Sequence, residues 1–175
     1  MWRPKLFYGF EKPKGERSAT PLRYKGEVYG FDGGKLIKGR KRFILVDTLG
    51  MLMAGVVVNA NCSEQRGGVM TVDTLQPEQA KALKLIWVDQ GYQGENFARV
   101  IAQLCEATVE VVKRSDPGFV LLPKRWVVER TFAWINQNRR LSKDYELRPE
   151  MSEAMIQGSM IRLMLQRLGE RKEQA

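Results

Sequence analysis

Residues 85–112, LIWVDQGYQGENFARVIAQLCEATVEVV, decide the fold. Leu85 to Val88 is an apolar run too short for a helix, and Gly91 permits a tight turn after it. From Asn96 to Cys105, Phe97, Val100, Ile101 and Leu104 recur on one helical face, and Thr108 to Val112 alternates as a strand does. Strand, helix, strand is the pattern of an α/β domain. A single acid, Asp89, follows the first strand directly.

Working outward, FILV and MLMAGVVVN lie on either side of Asp47-Thr48-Leu49-Gly50, which predicts an antiparallel hairpin. The second run stays apolar for so long that it is expected at the centre of a sheet covered on both faces. Asn61 to Thr71, rich in glycine and polar residues, reads as a loop. Thr74 to Leu83 reads as a short helix, with Pro77 in its first turn. After the break at Ser115-Asp116-Pro117, Arg125 to Asn138 has helical periodicity through Val128, Phe132 and Ile135. Met151 to Leu168 predicts a second amphipathic helix, with Met160, Leu163, Met164 and Leu168 toward the core and the methionines filling irregular gaps.

The chain of 175 residues is long enough for one domain with its own core. Its formal charge of +9 suggests a polyanionic partner, and the charge is unevenly placed. Residues 1–42 hold twelve Lys or Arg against four Asp or Glu. With three prolines and several glycines, this segment is expected to be a basic, poorly structured arm. Cys62 and Cys105 are too far apart for a CxxC pair and read as reduced thiols. The chain has neither a run long enough to cross a bilayer nor the apolar start of a signal peptide, so a cytoplasmic place is expected. With no histidine, it can build neither a Ser-His-Asp triad nor a histidine-ligated zinc site.

Chemistry must then come from carboxylates, lysines or metal-bound water. Asp89, at the end of a buried strand, can be held rigidly beside a crevice; an aspartate before glycine serves equally as a cap or turn residue. Glu129 stands one helical turn from Arg125, and an i,i+4 surface ion pair accounts for that spacing as well as a metal-binding carboxylate would. Two carboxylates within about 4 Å repel unless a cation such as Mg²⁺ or Mn²⁺ lies between them. Candidate phosphate contacts fall in two groups. The first is Lys35, Lys38, Arg40, Lys41 and Arg42; the second is Lys124, Arg125, Arg130, Arg139, Arg140 and Lys143.

The stretches GFDGGKLIKGRKRFILVDTLGMLMAGVVVNAN, LIWVDQGYQGENF, RWVVERTFAWINQNRRLSKDYE and EAMIQGSMIRLMLQRL resemble, in order and spacing, bacterial transposases of the group typified by insertion sequence 5. The resemblance covers about Gly30 to Leu168 and implies a DDE recombinase. Such an enzyme has an RNase H-like mixed sheet flanked by helices, in which Asp, Asp and Glu hold Mg²⁺ or Mn²⁺ while double-stranded DNA is cut and joined. Asp89 matches the second acid, Glu129 the third, and Arg125 the arginine of an R-x-x-x-E element. Asn136 stands where that group has a basic residue. The first acid has no counterpart, because GERSATPLRYKGEVYG contains neither an aspartate nor a clear strand.

Asp47 reads as a turn residue, and Asp32 as part of a glycine-rich loop that would not fix its geometry. The expectation is therefore an incomplete RNase H-like domain over 43–168, lacking its first strand, between the basic arm and a polar tail at 169–175. Such a domain is expected to be inactive or weakly active, nucleoid-associated, and able to meet other transposase subunits. A non-catalytic DNA-binding protein that pairs or competes with a full-length transposase is the alternative.

Overall fold

A computed structural model describes residues 5–11, 29–33, 36–112 and 123–173. Among them are strands β1 (Lys5–Glu11), β2 (Gly30–Asp32), β3 (Ile37–Asp47), β4 (Leu52–Asn59), β5 (Leu85–Val88) and β6 (Thr108–Val111). The helices are α1 (Glu64–Asp73), α2 (Pro77–Ala82), α3 (Glu95–Cys105), α4 (Pro123–Asn136) and α5 (Pro149–Glu173). The break at 115–117 lies outside the described residues.

The hairpin forms where the sequence predicts it. Asp47 Oδ1 accepts hydrogen bonds from the backbone N–H groups of Leu49 and Met51, both at 2.8 Å. Gly50 turns the chain at φ +81°, a conformation that favours glycine. Strands β3 and β4 then pair antiparallel from Arg40↔Asn59 to Val46↔Leu52.

The next neighbour of β3 corrects the sequence reading. Instead of a sheet without its first strand, β1 pairs antiparallel with β3, from Leu6↔Asp47 to Glu11↔Arg42, and parallel with β5, from Lys5↔Leu85 to Phe7↔Trp87. Thus β1, β2 and the start of β3 lie within the segment read as a poorly structured arm, and that expectation fails for these residues. Strand β6 extends the parallel part beyond β5. The sheet runs β4, β3, β1, β5, β6, with β2 paired to the first residues of β3.

Strand β4 is consequently an edge strand among the described residues, rather than a central one, but both its faces are covered. Ala54, Val56 and Val58 join one core, while Val57 joins the other. The N–H of Val57 donates to Glu153 Oε1 of α5 at 2.7 Å. A helix side chain thus occupies part of the edge that would otherwise offer pairing to another chain.

One core lies between the sheet and α1 and α3, built on Phe43, Leu45, Ile86, Val88, Tyr92, Phe97 and Ile101. The other lies under α4 and α5 and holds Ile44, Val46, Trp87, Val128, Phe132, Ile135, Ile156 and Met160. Neighbouring residues of β3 alternate between the two, as the period of a strand requires. Helix α1 replaces the loop expected over Asn61 to Thr71. Ser63 caps it by accepting from Arg66 N–H, and its two glycines lie against aromatic rings. A Cβ on Gly67 would fall 2.3 Å from Phe43 Cζ, and one on Gly68 would fall 2.8 Å from Phe97 Cε2.

Pro77 opens α2, as expected. Helix α5 runs on to Glu173, through most of the segment read as a polar tail. Along it Met160 is buried and Leu163 and Met164 are half-buried, but Leu168, expected in the core, is 58% exposed.

Candidate acidic site and basic surface

Asp89 leaves the C-terminal end of β5 and is half-buried. Its Oδ1 accepts from Gly91 N–H at 3.0 Å, which caps the short 3-10 turn Gln90–Tyr92. The carboxylate therefore has a local structural job. Gly91 also allows α1 to come close, since a Cβ there would meet Asp89 Oδ1 and Glu64 Cγ, each at 3.2 Å.

Glu64 belongs to a constellation that the sequence reading did not find. Lys41 Nζ lies 3.1 Å from Asp32 Oδ2 and 3.6 Å from Glu64 Oε1, and donates to Cys62 O at 2.9 Å. The lysine side chain is only 5% exposed, and the two carboxylates offset the cost of burying its charge. Asp32 thus has a defined place, contrary to the expectation of an unfixed loop. Asp47 is the turn residue it was expected to be. No spacing in the sequence linked 32, 41 and 64, because strand pairing and the approach of α1 bring them together.

Glu129 is exposed on α4. Two contacts of its neighbours fix the level of this part of the helix. Arg130 Nη2 donates to Leu49 O at 2.9 Å, and Thr131 Oγ1 donates to Gly50 O at 2.8 Å, so this turn of α4 is tied to the β3–β4 hairpin. Asp89 lies toward the other end of the sheet. Two residues beyond the Phe7↔Trp87 pair, the count reaches Gly9 and Asp89, and Gly9 stands opposite Ile44. From Ile44 to Asp47 is three residues, roughly 10 Å of strand, before the hairpin turn begins.

By this count Asp89 and the turn of α4 that carries Glu129 stand at different levels along the sheet. At the level of Asp89, β1 offers Gly9; its only acid, Glu11, stands opposite Arg42. Among the described residues no group of three or more metal-ligating side chains is positioned to hold an ion. The described acids form no three-carboxylate metal centre, and no metal-dependent step follows from their arrangement.

The basic residues divide by burial. Arg40, Lys41 and Arg42, read as phosphate contacts, are 3%, 4% and 7% exposed and turned inward. Arg40 donates to Glu146 O and Leu147 O at 3.1 and 2.6 Å and lies 3.3 Å from Asp144 Oδ2. Arg42 donates to Leu141 O and Lys143 O at 2.7 and 3.0 Å. Both guanidinium groups hold the segment that follows α4 against β3.

Arg130 is likewise engaged: its guanidinium stacks over Trp126 and Trp134 at 4.4 and 4.8 Å. Burial, and then Arg167, push its pKa below the usual arginine value. Lys38, Arg139, Arg140 and Lys143 are exposed, and Arg140 Nη2 is paired with Glu146 Oε1 at 2.6 Å. Lys35 lies outside the described residues, and Lys124 and Arg125 are described by backbone alone. Burial raises the pKa of Cys62 and Cys105, both of which are free thiols.

Among the described residues no helix is long and apolar enough to cross a membrane. In comparisons with known proteins, residues 12–165 match the family model described as "Transposase DDE domain". A protein of Burkholderia cepacia described as "Putative transposase for insertion sequence element IS402" is 27% identical over 124 residues, covering 67% of this chain and 59% of that protein. The chain thus spans about three fifths of the curated relative it matches. With the family model matching most of its length, the chain belongs to the transposase DDE domain family.

Proposed function

We propose that this chain is the DNA-engaging core of a transposase of the insertion sequence 5 group, with an RNase H-like sheet and a catalytic centre left unassembled. It binds double-stranded DNA and by itself cuts and joins it weakly or not at all. What supports this reading is the missing acid: Gly9 stands two residues past Phe7 on β1, as Asp89 stands two past its partner Trp87 on β5, so a continued register sets no acid of β1 beside Asp89. Asp89 and Glu129 are the matches to the second and third acids. Misplacement of a reacting group by about 1 Å can cost a hundredfold in rate. The separation argued here by strand register is larger.

DNA contact is assigned to the exposed cations, Lys38 at the start of β3 with Arg139, Arg140 and Lys143 after α4. Arg40 and Arg42 hold the segment that presents Arg139, Arg140 and Lys143. Strand cutting and joining by such proteins depends on Mg²⁺ or Mn²⁺; by family match Asp89 and Glu129 are the residues that would hold such an ion in an assembled centre, and as they stand in this chain they make no strong site.

The test measures duplex binding by fluorescence anisotropy across a salt series, and Mn²⁺ binding by calorimetry, for the wild type and for Asp89→Asn and Glu129→Gln. The expected result is salt-dependent DNA binding that both variants retain, with no strong Mn²⁺ site in any of the three. Tight Mn²⁺ binding lost in both variants, with strand cleavage by the wild type, would show an assembled centre and overturn the proposal. Weak DNA binding that ignores salt would remove the DNA-engaging part of it.

A further inference from the structure

We infer that the segment joining α4 to α5 is a stacking platform for unpaired bases, with Tyr145 as the ring that stacks, so that this chain takes single-stranded DNA as well as duplex. This rests on the DNA-engaging role proposed above and names the form of DNA that one part of the surface takes. Tyr145 is 59% exposed, and Leu147 beside it 55%. An exposed ring on a loose loop would carry little, but this segment is held at four points. Arg42 donates to the carbonyls of Leu141 and Lys143, and Arg40 to those of Glu146 and Leu147. Residues 40 and 42 leave β3 on the same face, so the two guanidinium groups grip the segment side by side. Tyr145 therefore stands on a backbone set from inside the protein, and little ordering is left to be lost on binding.

The segment also sorts its side chains. From Ser142 to Leu147 they alternate between half-buried and exposed, and both acids fall in the inward set. Asp144 Oδ2 lies 3.3 Å from Arg40 Nη1, and Asp144 Oδ1 accepts from Ser152 Oγ at 2.7 Å. Glu146 Oε1 lies 2.6 Å from Arg140 Nη2, and its side chain is 11% exposed. What remains outward is Lys143, Tyr145, Leu147 and Arg148, with Arg139 at the start of the segment. Arg139 and Arg148 make no ion pair with the described residues, and Tyr145 makes no ring contact or hydrogen bond with them.

An aromatic face among cations, with no acid beside it, fits a polyanion that has flat apolar faces to offer. A duplex keeps those faces inside its own stack and presents base edges and phosphates. A single strand leaves the faces open, and each base has one, so stacking on Tyr145 would tolerate any sequence while Arg148 and Arg139 meet the neighbouring phosphates. Leu147 adds apolar surface next to the ring.

Fluorescence anisotropy of the full chain with labelled oligothymidylate, and with a duplex of equal length, tests this. The wild type should bind both. Tyr145→Ala should lower the affinity for oligothymidylate relative to duplex by at least about fivefold, the smaller end of what removing one stacking ring costs. Circular dichroism should not change, because the ring is exposed. Tyr145→Phe should keep the wild-type ratio, since the ring stacks and the hydroxyl does not. Arg148→Ala should reduce the salt slope for oligothymidylate by about 0.7, a slope that Tyr145→Ala leaves intact. An affinity ratio indifferent to Tyr145→Ala would overturn the proposal, and so would Tyr145→Phe behaving as Tyr145→Ala does. Duplex binding by the wild type without single-strand binding would overturn the platform alone, whereas a wild type that binds neither would overturn the DNA-engaging role together with it.

Discussion

Replacing Arg40 with methionine separates a cation that builds the fold from one that meets DNA. The side chain is fully buried, its guanidinium donates to Glu146 O and Leu147 O, and it lies 3.3 Å from the carboxylate of Asp144. Methionine keeps much of the stem but leaves two carbonyl oxygens and a carboxylate without their donor. Hydrogen bonds from charged groups contribute about 1.5–3 kcal/mol each, and breaking a buried ion pair costs about 3–5 kcal/mol. Asp144 retains 19% exposure and a hydrogen bond from Ser152 Oγ at 2.7 Å, so water and that hydroxyl recover part of the loss. A net cost of about 2–4 kcal/mol is expected, which for a chain of this length lowers Tm by roughly 5–15 °C. The assay is urea and thermal unfolding of Arg40→Met beside Arg139→Ala, with duplex affinity measured well below both midpoints. Arg139→Ala should change stability by less than about 0.5 kcal/mol while reducing the salt slope of DNA binding by about one. If Arg40→Met unfolds like the wild type and loses DNA affinity as Arg139→Ala does, Arg40 is a phosphate contact and the division by burial is wrong.

Gly67→Ala should cost about 1–3 kcal/mol in urea unfolding, because its Cβ would lie within 2.6 Å of three Phe43 ring carbons at the centre of a core. Lys41→Met should destabilise the fold by a few kcal/mol, because it leaves Asp32 and Glu64 facing each other without the cation between them; urea unfolding like that of the wild type would contradict this. Glu153→Gln probes the β4 edge. Burial raises the Glu153 pKa, so the folded state holds its proton to higher pH than the unfolded one and stability falls as pH rises from the unfolded value toward the folded one. The glutamine variant, still able to accept from Val57 N–H, should be the more stable at neutral pH and lose that advantage below the ordinary glutamate pKa of about 4.3, as read by chemical unfolding across pH.

The parts of the fold that the sequence announced are those whose burial is periodic. The β3–β4 hairpin, the β5–α3–β6 unit and the inner face of α4 all follow from local spacing. Helix α1 was hidden because EQRGGVMTVD is polar and carries two glycines, which local propensity reads as loop. Those glycines are there for contact: Phe43 and Phe97 occupy the space that their Cβ atoms would need. The need for them comes from residues 24 and 29 positions away, and no local window holds both. The central place of β1 was hidden for a related reason. Its partners are Leu6↔Asp47 and Phe7↔Trp87, so only the closed sheet reveals it.

The cations carry the same lesson into function. GRKRF reads as a basic run, and counting charge along the chain makes it the most promising phosphate contact. Yet Arg40, Lys41 and Arg42 lie in an eleven-residue strand, where alternate side chains must leave on opposite faces, and helices cover both. Their charge is answered inside the protein, by carbonyl oxygens of 141, 143, 146 and 147 on one side and by Asp32, Glu64 and Cys62 on the other. The net charge of +9 is therefore a poor measure of the surface that DNA would meet. These buried residues hold the segment that displays Arg139, Arg140 and Lys143, so their removal reaches DNA binding through the shape of that segment. An intact fold with a displaced 139–147 segment would lose affinity at low and high salt alike, whereas loss of a phosphate contact is felt most at low salt.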